Sequence, residues 1–61
     1  MNTKINTYLN VMYNIIDNTI SKLIENEIAK YESDINYDYV DELINLLDTV
    51  DNYTNKIKEL I

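Results

Sequence analysis

The sequence predicts an all-α protein: an antiparallel two-helix hairpin, coiled-coil-like, that dimerises into a four-helix bundle. Three observations carry that expectation. The 61 residues include no Gly and no Pro, so the strongest breakers of secondary structure are missing and hydrophobic period decides. Apolar residues recur at steps of three and four in both halves. The two halves are out of phase, which divides one long helix into two.

In the first half, Ile5, Leu9, Met12, Ile16, Ile20 and Leu23 fall within a stripe about 80° wide at 100° per residue, with Tyr8 and Thr19 on its edges. That spacing predicts an amphipathic first helix over about 3–31. Beyond Leu23 the apolar positions drift through Ile24, Ile28 and Tyr31 to one side, as a helix wrapping its partner requires.

The second half is more regular. Val40, Leu43, Leu47, Val50, Thr54, Ile57 and Ile61 fit the two core positions of a heptad, and Tyr39, Leu46, Tyr53 and Leu60 form a flanking row every seven residues. Three apolar positions per heptad make a face too wide for one partner helix, which is the pattern of a bundle. This predicts a second helix over about 39–60.

Carried backwards, the second-half heptad would place Asn36, Ser33, Asn26, Lys22 and Thr19 in a core, so the chain must reverse. Ser33, Asp34, Asn36 and Asp38 supply turn and cap chemistry over about 32–38. With Asn36 as the cap, Ile35 and Val40 make a hydrophobic staple. With Asp38 as the cap, Asp41 and Glu42 complement the helix N-terminus, and Lys56 and Lys58 suit the C-terminal end in either case.

A chain of this length is read as a single domain, and below about 70 residues one core rarely supplies more than ~3–5 kcal/mol without a staple. Cys and His are both absent, which removes disulfides, ordinary zinc sites and a general base near neutral pH. Association with another chain remains. Asn, Ile, Lys, Tyr and Met make up 33 of the 61 residues while Gly, Ala, Arg and Pro contribute only Ala29, a bias expected of an A/T-rich virus, phage or plasmid genome. Eleven acids against five lysines give a net charge of −6, which disfavours direct contact with nucleic acid or anionic lipid. No apolar run is long enough for a signal peptide or a membrane span, so no membrane contact and a cytoplasmic location are expected, the host cytoplasm if the origin is viral.

Candidate chemistry is sparse. Asp34, Asn36 and Asp38 have the spacing that opens an EF-hand loop, but Tyr39 stands where Gly is needed and Asn45 where the bidentate Glu belongs. Asn52-Tyr53-Thr54 matches the glycosylation acceptor pattern, and turn, cap and surface roles account for both matches. No phosphate loop, nucleophile–base pair or cofactor motif is present, so no enzymatic activity, catalytic residue, metal or cofactor is expected.

The expected function is therefore that of a small acidic protein–protein interaction module that modulates or inhibits a larger protein. Its expected partners are a second copy of itself and a protein that the sequence does not identify. The candidate interface on the second helix is Tyr39, Val40, Leu43, Leu46, Leu47, Val50, Tyr53, Ile57 and Leu60. An acidic face of Asp38, Asp41, Glu42, Asp48 and Asp51 offers an alternative, a nucleic-acid mimic that blocks a DNA- or RNA-processing enzyme. A row of Asn2, Asn6, Asn10, Asn14 and Asn18 on the first helix is a second polar strip. The expected architecture is similar in length and topology to small plasmid copy-control bundles that bind RNA hairpins. It shares no motif with them, and the absence of Arg speaks against RNA binding.

Overall fold

The computed structural model describes residues 3–61 and shows two long helices packed as a hairpin. Helix α1 spans Thr3–Ile28, a 3-10 turn covers Glu32–Asp34, and α2 spans Tyr37–Leu60. The all-α hairpin is as the sequence predicts, with the reversal shifted toward the N-terminus, over residues 29–36 where about 32–38 is expected. α1 stops three residues early because the Lys30 N–H bonds to the Glu27 carbonyl at 3.3 Å, tightening the last turn, and Tyr31 is then extended at φ −58°, ψ 143°.

α2 starts two residues early because Asn36 is its cap: the Asn36 Oδ1 accepts from the Tyr39 N–H at 3.1 Å. Ile35 before the cap is half-buried and Val40 in the first turn is buried, the arrangement a hydrophobic staple requires. Among the described residues none has a positive φ. The reversal instead runs from extended Tyr31 through a 3-10 turn, closed by Asp34 N–H to Tyr31 O at 2.8 Å, to extended Ile35, so no glycine is needed.

The seam between the helices fixes what each face can do. On α2 it follows the predicted heptad through Val40, Leu43, Leu47, Val50 and Thr54, all buried or half-buried. The Thr54 hydroxyl donates to the Val50 carbonyl at 2.8 Å, so it enters the seam already satisfied. At the end of the helix the half-buried position is Lys58, not the predicted Ile57. On α1 the seam is turned from the predicted stripe. Leu9, Ile16 and Ile20 face α2 as expected, but they are joined by Asn6, Tyr13, Ile24 and Glu27, while Ile5, Met12 and Leu23 lie exposed beside them.

The helices run antiparallel, with Glu27 bonded to Asn36 at one end and Lys58 to Asn10 at the other. The Cα trace is a slab of 50 × 15 × 7 Å with a radius of gyration of 14.7 Å. A compact chain of this length has a radius of gyration of about 10.5 Å. Two helices side by side have one buried seam and two broad open faces.

Candidate interaction surfaces

A buried carboxylate at the turn end of the hairpin is a site that sequence reasoning missed. Glu27 falls seven residues after Ile20, on the seam, and is only 7% exposed. Its Oε2 accepts the Asn36 backbone N–H at 3.0 Å and its Oε1 accepts from Lys30 Nζ at 3.0 Å. The Asn36 N–H is the donor that an acidic side chain one turn into α2 satisfies in an ordinary capping box; here Tyr39 occupies that position and the carboxylate comes from the other helix. The Asn36 N–H bond, then the Lys30 bond, hold the Glu27 carboxyl below its ordinary value, against the opposing effect of burial. A charge at a seam position beside a polar turn was the signal for it.

The two open faces can be told apart by the contacts on one of them. Asn10 of α1 meets Lys58 of α2, and Tyr13 meets Asp51, so these residues mark one side of both seams. The residues flanking each seam on the opposite side share the other face. On that face α1 presents Ile5, Tyr8, Met12 and Ile15, and α2 presents Leu46, Tyr53 and Leu60, all exposed. The apolar strip runs about 27 Å from Ile5 to Leu23 at 1.5 Å per residue. Bordering it are Lys22, Glu42 and Lys56, and the Lys56 Nζ lies 5.7 Å from the centre of the Tyr53 ring.

The opposite face is mostly polar, with Ile28 and Ile44 exposed among its polar side chains. Asn10, Asn14, Asp17 and Ser21 of α1 lie across from Asp41, Asp48, Asp51 and Asn55 of α2. A shallow groove of about 320 Å³ runs between them, lined by Tyr13, Ile44, Asn45, Leu47, Asp48 and Asp51. Desolvation first, then the charges of Asp51 and Asp17, a hydrogen bond to Asp51 and the charge of Asp48, all raise the Tyr13 phenol above its ordinary value.

The structure divides the candidate residues. Of the nine assigned to the interface, Val40, Leu43, Leu47 and Val50 are taken up by packing against α1, and Tyr39 is half-buried. Leu46, Tyr53, Ile57 and Leu60 stay exposed, and Ile5, Tyr8, Met12 and Ile15 form the α1 half of their face, of which the sequence pattern places Ile5 and Met12 in the stripe and Tyr8 on its edge. The five acids do not share a face. Asp41, Asp48 and Asp51 lie on the polar side with Asp17, Glu42 borders the apolar side, and Asp38 points away from the seam. Of the Asn row, Asn10 and Asn14 lie on the polar side, Asn6 is in the seam, and Asn2 lies outside the described residues.

Among the described residues no helix is long and apolar enough to cross a membrane, and no group of three or more His, Cys, Asp or Glu side chains is placed to hold a metal ion. Comparison of the chain with family models, with curated proteins and with solved structures gives no match.

Proposed function

We propose that this chain is a non-enzymatic interaction module of the kind with which a virus, phage or plasmid modulates or inhibits a larger protein in the cytoplasm. The observation that carries the reading is the division of the hairpin into one apolar face and one face where the acids and amides gather. The apolar face joins a second hairpin to close a four-helix bundle, and the polar face is left outward for the target protein. Asn10 and Asn14 offer donors and acceptors there, and Asp48 and Asp51 give the groove its sign. The test is affinity capture with the full chain from its native host. A stoichiometric protein retained by the native chain and lost with Asp48→Lys/Asp51→Lys supports the reading; capture that is absent or indifferent to both faces overturns it.

The gathering of Asp17, Asp41, Asp48 and Asp51 on one side favours a second reading, in which that face imitates a phosphate backbone and inhibits a nucleic-acid-processing enzyme. Charge reversal at Asp41, Asp48 and Asp51 then abolishes inhibition with helicity unchanged. Inhibition that survives the reversal excludes the mimic.

A further inference from the structure

We infer that the second hairpin on the apolar face is another copy of this chain, packed about a two-fold axis that places the two turns at opposite ends of the bundle. The inference rests on the module reading above and names the occupant of one of its faces. Surface area is the first argument. The chain exposes 4941 Å², about 800 Å² more than the ~4,100 Å² expected of a compact 7.2 kDa protein. About 800 Å² is what each partner contributes to an interface of standard size.

Charge is the second argument. Although the chain carries −6, only Glu42 among its eleven acids borders the apolar face, and Lys22 and Lys56 border it too. Two copies therefore meet there without the repulsion that their net charge implies.

Register is the third argument, and it selects the orientation. On α2 the row Tyr39, Leu46, Tyr53, Leu60 is symmetric about the midpoint between Leu46 and Tyr53, so a half-turn lays Leu46 of one copy on Tyr53 of the other. On α1 the strip Tyr8, Met12, Ile15, Thr19 is symmetric about the midpoint between Met12 and Ile15. The hairpin's own register, with Glu27 opposite Asn36 and Tyr13 opposite Asp51, brings these two midpoints level. One axis serves both helices.

The same half-turn sets Glu42 of one copy within a residue of Lys56 of the other, twice over. It also separates the acidic ends. Residues 20–42, around the turn, hold seven acids and two lysines, whereas the rest of the chain holds four acids and three lysines. Turns at the same end would stack the two more acidic halves, and turns at opposite ends set each against the nearly neutral half of its neighbour.

Sedimentation equilibrium of the full chain tests the second copy, and a dipolar distance measurement between nitroxides on Ser33→Cys at the turn tests the orientation. The expected result is a dimer with a label separation of about 50 Å, the long extent of the hairpin. A separation of roughly 20 Å, the width of a bundle, overturns the orientation. A folded monomer at ~100 µM overturns the second copy; if Asp48→Lys/Asp51→Lys still abolishes target capture by that monomer, the module reading survives alone. Met12→Glu is expected to give a helical monomer, and a dimer that tolerates it places the contact on another face. Glu42→Lys should weaken the dimer about fivefold. Adding Lys56→Glu should restore it; failure to restore overturns the register.

Discussion

Leu43 and Leu46 are three residues apart on α2 and chemically identical, yet the structure gives them different consequences. Leu43 is 7% exposed in the seam, and Leu46 is 51% exposed on the apolar face. Truncation to Ala removes three carbons, worth about 2.4 kcal/mol of transfer free energy when fully buried, at about 0.8 kcal/mol each. A residual cavity raises the usual Leu→Ala loss to about 2–5 kcal/mol. The seam of a two-helix hairpin is open along both sides and relaxes readily, so about 3 kcal/mol is expected for Leu43→Ala. Leu46→Ala loses only the buried half of the transfer free energy in the lone hairpin, about 1 kcal/mol.

Urea unfolding followed by far-UV ellipticity separates the two. With a slope of about 1 kcal/mol/M for a chain this small, the variants should differ by about 2 M in midpoint at low protein concentration. At high concentration the Leu46→Ala loss should grow, because pairing then buries the face that Leu46 belongs to. Equal losses for the two variants at low concentration would refute the assignment of Leu43 to the seam and Leu46 to the open face.

Asn36→Ala removes the side-chain cap of α2 and should cost about 1 kcal/mol, with Asn36→Asp close to the native value, both read from thermal unfolding. The Glu27 carboxyl is held below its unfolded value, so its contribution is complete above about pH 4.5 and is lost as pH falls through the folded value. Stability measured against pH should therefore fall on the acid side, and Glu27→Gln should flatten that fall. The Asn6 Oδ1 is shielded from water without a hydrogen-bond partner, so Asn6→Leu should stabilise the hairpin by about 1 kcal/mol in urea unfolding.

The second helix was readable because its seam and its flanking row each keep a strict period of seven, so the two do not blur into one another. α1 was harder for a physical reason. Its apolar residues cover two adjacent faces, one toward α2 and one toward the open side, and a single best-fitting stripe falls between them. That stripe, Ile5 to Leu23, accordingly captured Leu9, Ile16 and Ile20 from the seam and Ile5, Met12 and Leu23 from its exposed flank. Glu27 escaped notice because its value lies in a partner nine residues away, which no helical period encodes.

The same geometry explains how a chain without Gly, Pro or Cys holds a defined reversal. A Gly-free turn with only negative φ values is not committed to turning, since each of its residues also tolerates a helix. What excludes the continuous helix is the Glu27 carboxylate on the Asn36 N–H, together with the Asn36 side chain on Tyr39 and the mismatch of the two seams. In a continuous helix the Asn36 N–H would bond to the residue-32 carbonyl, Glu27 would have no such donor, and the second-half seam would run into Lys22 and Asn26. The reversal is therefore set by contacts between the helices, and a substitution that weakens the seam should loosen the turn as well.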